Sequence, residues 1–375
     1  MRILINTAHQ RFGGAVQVAL SFIYECIKFK EHQYFVLVGS GVKKSLNEHD
    51  FPSNFHFQYF DFGIIDFRTT IKINSILQKV EKEINPDAII STSGPTYFHS
   101  LSPQIIGYNL GLYIYPESPY ILKLPIKNRI KLLIKKKLHF YFFKRDASAY
   151  VVQTDDVNNR VRKELKTQNV YTVTNTHSSF YSNWISYPNK LNNKVKGSFR
   201  FLTISAYYPH KNLELISSIL PILDSIGLKS VEFILTLNEK DFKNKFGLIP
   251  DKRIINIGPI KPEECPSLYN ECDAMFLPTL AECFSASYPE AMVMNKPIVT
   301  SDLGFARSIC GDAALYFKPM DSVSAANKIK RLIIDKGLVM KLIEEGKKQL
   351  INFDTPEERA NKYLNISKLI ISKTQ

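Results

Sequence analysis

Ala274-Met-Phe-Leu-Pro278-Thr-Leu-Ala-Glu282-Cys-Phe-Ser-Ala-Ser-Tyr-Pro-Glu290-Ala-Met292 decides the reading of this chain. Ala274 to Leu277 is a short apolar run of buried-strand type, Phe284 to Ser287 a turn of small residues, and Tyr288-Pro-Glu-Ala-Met-Val the opening of a helix with proline near its first position. Backbone N–H groups at such a junction have no intrahelical partner and favour an anion such as a diphosphate. Glu282 and Glu290, with seven residues between them, straddle the junction. An ionised carboxylate accepts hydrogen bonds from both hydroxyls of a vicinal diol, so the pair suits ribose and hexose. The plainer alternative is an ordinary strand-loop-helix with solvated glutamates, which helix dipoles also favour.

Outward from this stretch, strands alternate with helices in both halves. In the first half the strands are Arg2–Ile5, Tyr34–Val38, His56–Phe60, Asp87–Ile90, Gln104–Tyr108, Ala149–Val152 and Val170–Val173, with helices over Val16–Phe29, Ile71–Glu83 and Asp156–Leu165. The second half repeats the pattern from Phe199, with strands at Val231–Leu235, Ile254–Ile257, Pro297–Thr300 and Ala314–Phe317. Alternation of this kind predicts parallel sheets covered on both faces. The fold class expected is therefore α/β, two doubly wound Rossmann-like domains facing across a cleft, with ligands at the carboxyl ends of the strands. The domains are expected over 1–185 and 198–352, joined by the Asn-, Ser- and Pro-rich segment Ser178–Gly197, with a helix in 353–375 free to return to the first domain. Gly13-Gly14, between the first strand and its helix, is a weaker phosphate-loop signal.

A chain of 375 residues with 45% hydrophobic content exceeds the size at which one core divides. Met1 to Asn6 is too short an apolar run for a signal peptide, and no uncharged run reaches membrane-spanning length, so a cytoplasmic, peripheral protein is expected. Five cysteines without a C-x-x-C pair support neither a disulfide framework nor a zinc ribbon, and no H-E-x-x-H or Asp-x-Asp is present to hold a metal. No metal and no cofactor are expected.

The net charge of +14 calls for an anionic partner. Much of it lies between Lys123 and Arg145, where Lys127, Arg129, Lys131, Lys135, Lys136, Lys137 and Lys144 are interleaved with apolar residues at helical spacing. Two readings stand: a helix that seats the protein on an anionic membrane at its inner face, or a core-packed helix with solvated lysines. No nucleic-acid signature accompanies the charge.

With these pieces placed, the second half resembles the retaining, nucleotide-sugar-dependent glycosyltransferases of the GT-B fold, family 4. The resemblance rests on Asp273-Ala-Met-Phe-Leu-Pro-Thr279, Glu282-Cys-Phe through Pro289-Glu290-Ala-Met, Lys296-Pro-Ile-Val-Thr-Ser-Asp-Leu-Gly304 and Ile309-Cys-Gly-Asp-Ala-Ala-Leu-Tyr-Phe317. The first half matches more loosely, through Gly13-Gly14, Val152-Gln-Thr154 and Asn175. The resemblance implies that Glu290 holds the ribose of a nucleotide-sugar donor and that Glu282 lies near its hexose. It further implies that the amides of Phe284, Ser285 and Ala286 face the diphosphate or hexose, and that Lys211 neutralises the diphosphate. Hexose transfer to a glycan or polyprenyl-linked acceptor, in surface polysaccharide synthesis, is the implied activity.

Three departures accompany it. Ser205-Ala206 stands where the family has a glycine and an arginine, leaving His210, Arg307 and Arg11 as possible second cations. Tyr108 or Asn109 stands where many relatives place a histidine near the anomeric centre, with His99 as a substitute, and Cys283 replaces a common glycine. An inactive scaffold of the same fold, bound to membrane or nucleic acid, and a sugar-nucleotide epimerase of similar shape are the competing readings.

Overall fold

The computed structural model describes residues 1–11, 13–181, 184–248 and 250–373. Positions 182 and 183 of the expected linker, and the last two residues, lie outside the described residues. The chain divides into two units, one made of Met1–Ile114, Leu124–Asn175 and Asp354–Gln375, the other of Tyr115–Lys123 and Thr176–Phe353.

The first unit is built on a parallel sheet of seven strands: β1 (Arg2–Asn6), β2 (Gln33–Gly39), β3 (Phe55–Phe60), β4 (Ala88–Ser91), β5 (Gln104–Gly107), β6 (Ala149–Val152) and β7 (Val170–Thr172). Their order is β3-β2-β1-β4-β5-β6-β7. The order reverses between β1 and β4, the position where doubly wound sheets open a crevice at their carboxyl ends. Both faces of β1 are buried, which is why it reads as continuous apolar sequence: Ile3 and Ile5 pack with Phe22 and Ile23, while Leu4 packs with Ile73 and Leu77. Fully burying each such side chain contributes about 1.5–3 kcal/mol.

The second unit has six parallel strands, β8 (Phe199–Thr203), β9 (Val231–Leu235), β10 (Ile254–Asn256), β11 (Ala274–Leu277), β12 (Ile298–Ser301) and β13 (Ala314–Phe317), ordered β10-β9-β8-β11-β12-β13. Its core carries an aromatic row across the sheet: Phe201 on Phe233, Phe233 on Phe276 and Phe276 on Phe317, with ring centroids 5.4–5.7 Å apart. Here the order reverses between β8 and β11, and β11 is the strand that opens the stretch read first.

Two connections depart from sequence order. The final helix, Pro356–Ser372, belongs to the first unit. It starts with a reciprocal cap, Glu358 N donating to Thr355 Oγ1 and Thr355 N to Glu358 Oε2, with proline at its first position. It packs Tyr363, Leu364 and Ile370 into the core under Phe22. Its buried Arg359 donates to Asn175 Oδ1 at 2.5 Å and Ser21 Oγ at 2.7 Å, which makes Asn175 an anchor for that helix. Tyr115–Lys123, although enclosed in sequence by the first unit, belongs to the second, where Ser118 Oγ donates to the Leu280 carbonyl at 2.7 Å.

Candidate functional site

Lys211 and Glu282 meet in the second unit. Lys211 follows β8, in a turn Pro209–Lys211 closed by Asn212 in the left-handed conformation (φ 54°), which asparagine tolerates better than most residues. Glu282 follows β11. The two loops are zipped together, Leu280 N donating to the His210 carbonyl at 2.7 Å. That contact carries Lys211 Nζ to 2.5 Å from Glu282 Oε1, with the two side chains 12% and 13% exposed. Thr279 Oγ1 donates to the same carboxylate at 2.9 Å, orienting it. A nearly buried ion pair of this kind is retained only with good geometry and extra hydrogen bonds, because its desolvation offsets most of its attraction.

Beside this pair, and among the described residues, the amides of Phe284, Ser285 and Ala286 donate to no carbonyl and no side chain. The helix that follows, Ser287–Val293, is held from behind by Tyr288. This fully buried tyrosine shares a 2.8 Å hydrogen bond with Thr300 Oγ1, which donates to the Leu277 carbonyl. The strand-loop-helix junction is therefore built from the core outward, and its unpaired donors lie at the sheet's switch point.

Glu290 lies in that helix. As a residue it keeps partial exposure, but its carboxyl end is enclosed, and burial raises its pKa to about 7. The Tyr181 hydroxyl beside it opposes that rise in part, although this hydroxyl makes no well-formed hydrogen bond among the described residues. Tyr181 packs edge-on against Tyr269, and the nearby Cys265 thiol is pushed up to about 12 by the same enclosure. Tyr181 had no sequence signal: it lies in the polar connection about a hundred residues before its partner.

Next to these loops is a cavity of about 210 Å³ lined by Ile204, Ser205, Ala206, Thr236, Asn238, Pro259 and Ile260, at the carboxyl ends of β8, β9 and β10. Ser205 N donates to Thr236 Oγ1 at 3.1 Å, so the Ser205-Ala206 departure forms one wall of it.

The possible second cations do not join the pair. Arg307 is bonded to both oxygens of Asp302, at 2.6 and 2.8 Å, and lies over the Tyr316 ring. His210, half-buried between Tyr208 and Tyr120, has its pKa lowered by desolvation and is neutral at pH 7. Arg11 belongs to the first unit.

Tyr108 is 0% exposed, packs on Phe143 at 5.1 Å, and its hydroxyl donates to the Leu110 carbonyl at 3.2 Å, so its ring stands in the core of the first unit. His99 is at the surface with Nδ1 2.9 Å from the Arg145 carbonyl.

At the first unit's switch point, Gly13 adopts φ 81°, a conformation that glycine supplies without strain, and Gly14 opens the helix Gly14–Glu25. A Cβ on Gly14 would meet open space. The loop before them is pinned, since a Cβ at Gly39 would collide with the Thr7 carbonyl. Gln10 Nε2 donates to Ser93 Oγ at 3.0 Å, and His9 Nε2 lies 3.0 Å from the Ser93 carbonyl. Burial lowers the His9 pKa to about 4, so the ring is neutral and Nε2, facing a carbonyl, carries its proton.

Solved structures share this architecture over the whole chain. Sucrose-phosphate synthase from Thermosynechococcus elongatus superposes with a TM-score of 0.74, covering 100% of both chains at 12% identity. Anabaena HepE, solved in complex with UDP and glucose, gives 0.65 over 97% of this chain and 99% of its own, at 15% identity. The fold is GT-B. Within the second unit, residues 189–349 match the family profile of the glycosyl transferases group 1. A curated relative, the O-antigen chain mannosyltransferase RfbU of Salmonella typhimurium, is 23% identical over 225 residues, which are 59% of this chain and 58% of that one.

Proposed function

We propose that this GT-B protein is a retaining glycosyltransferase of family 4 that moves a hexose from a nucleoside diphosphate sugar to a glycan or lipid-linked acceptor, at the inner face of the membrane. The observation that carries the reading is the enclosed Lys211–Glu282 pair beside three unpaired amides at the β8/β11 switch point. A fixed cation and preorganised N–H donors stabilise the charge that develops on a departing diphosphate. The group 1 profile over the same residues and the UDP complex of the similar Anabaena protein support it.

In this reading the acceptor oxygen bonds to the anomeric carbon from the face the diphosphate leaves. The carbon–phosphate oxygen bond breaks, and the acceptor proton passes to the diphosphate oxygen. Lys211 meets the developing charge, with Phe284, Ser285 and Ala286 amides as further donors. Glu282, relieved of its lysine, accepts from hexose hydroxyls. Glu290 accepts from the ribose, and the cavity beside Ser205 takes the base. Gly14 leaves room for backbone approach by a ligand. No metal is required in this assignment, because Lys211 and the amides fill the role of a divalent ion.

The test is nucleotide release from a panel of nucleoside diphosphate sugars, with and without a chelator. Release from one donor, abolished in Lys211→Ala and retained in chelator, supports the reading. An inactive scaffold is favoured by the burial of Tyr108 and, among the described residues, by the lack of a second cation at the pair; if no donor is turned over or bound, that reading replaces this one.

A further inference from the structure

The helix Ile126–Asp146 turns its apolar stripe outward. Ile126, Ile130, Leu133, Ile134, Leu138 and Tyr141 are each between 49% and 75% exposed. At 3.6 residues per turn they occupy one arc roughly 140° wide. The opposite side holds the helix to its own unit. Lys136 Nζ is 2.7 Å from Glu164, His139 is hydrogen-bonded to the Tyr113 hydroxyl at 3.1 Å, and Phe143 packs against Tyr108 and Tyr150. Core packing with solvated lysines is thus excluded for the stripe, since the apolar residues are the ones left uncovered.

Charge identifies what covers them. From Ser118 to Arg145 the sequence contains no acidic residue. Lys127 and Lys137 on the arc, Lys131 at its edge and Lys135 farther round have no ion-pair partner among the described residues. A second copy of the chain would bring two cationic faces together, and an RNA backbone has no use for five aliphatic side chains. Among the described residues no helix is long and apolar enough to cross a membrane. A helix about 31 Å long, with an apolar stripe bordered by lysines, matches the interface of an anionic bilayer, where acyl chains and phosphates lie at adjacent depths.

We propose that this helix lies flat in the headgroup region of an anionic bilayer, its stripe inserted and its lysines on lipid phosphates. The inference stands apart from the transfer chemistry, because binding is read without donor. The whole protein is sedimented with vesicles of phosphatidylglycerol and phosphatidylcholine in equal parts, and with phosphatidylcholine alone. Retention on the anionic vesicles only is expected. Replacing Lys131, Lys135 and Lys137 by glutamate weakens it by at least about tenfold at low salt. Replacing Ile130, Leu133 and Ile134 by serine weakens it at every salt concentration, because insertion does not depend on screening. These side chains are exposed, and unchanged thermal melts show that the variants fold.

Each of the following overturns the proposal: no retention on anionic vesicles, full retention by the serine variant, or tighter binding of a single-stranded RNA that is likewise indifferent to the serine changes. A dimer in sedimentation velocity that the serine variant dissociates also overturns it, in favour of a second copy as occupant.

Discussion

Where β1 and β4 part in the first unit, the loops carry Thr7, His9, Gln10, Thr92 and Ser93; where β8 and β11 part in the second, they carry Lys211 and Glu282. Both loop pairs are cross-bonded and both sheets reverse order at that point. The first is lined by neutral groups, with a histidine held uncharged and Arg11 exposed. The second concentrates an enclosed ion pair and three unpaired amides. On the proposed reading one topology offers two kinds of recognition: an electrostatic site for an anion and a neutral one for uncharged hydroxyls. The division matches the donor and acceptor of the proposed transfer.

The largest test removes the cation. Lys211→Ala is expected to lower kcat/KM for the donor by about 10²–10³-fold, the usual consequence of deleting a preorganised donor to developing charge. The same truncation of His9 should leave donor binding intact. A loss at His9 equal to that at Lys211, in a donor-binding titration, would erase the contrast between the two points.

Glu290 sharpens it next through pH. Its pKa of about 7 means that a sizeable fraction is protonated near neutrality, whereas a diol needs the carboxylate. Donor affinity in calorimetric titration should therefore rise as pH increases through 7. Glu290→Gln should flatten that rise and weaken the donor by about tenfold at pH 8, the loss of a charge-assisted bond. A flat wild-type profile would remove Glu290 from the donor site.

Stability separates the two points with opposite signs. A histidine whose folded pKa is lowered to about 4 favours the fold when neutral, so its contribution is complete above 6.5 and is lost as pH falls toward 4. A carboxyl raised from 4.5 to about 7 favours the fold when protonated, so its contribution is lost as pH rises across that interval. The slopes oppose each other in the whole protein. Denaturant melts of His9→Asn and Glu290→Gln against wild type should each reveal one of them. The smallest effect belongs to Tyr108→Phe, expected to cost about 1 kcal/mol for its part-buried bond to the Leu110 carbonyl, with kcat unchanged. A large loss of kcat without destabilisation would return Tyr108 to the catalytic site.

Much of this was legible before any coordinates. Strands such as Ala149–Val152, Ala274–Leu277 and Ala314–Phe317 keep their expected bounds, because strands buried on both faces are written as short unbroken apolar runs. The helices Glu239–Phe246 and Gly304–Cys310 went unread, being only about two turns long. Glu282 and Glu290 were singled out by residue type, spacing and the strand-loop-helix junction, Lys211 only by the family resemblance, and the structure brings Lys211 and Glu282 together.

What the amino-acid sequence determined by itself is the alternation, the junction at Pro278–Met292 and the period of the basic helix, since each is a local pattern that backbone geometry converts directly into structure. Only the tertiary structure decided that Tyr108 is enclosed, that Tyr181 lies against Glu290, that Tyr115–Lys123 joins the second unit and that the stripe from Ile126 to Tyr141 is bare. Periodicity names the residues that share a face. Which faces are covered depends on packing between segments distant in sequence, and no local spacing records it.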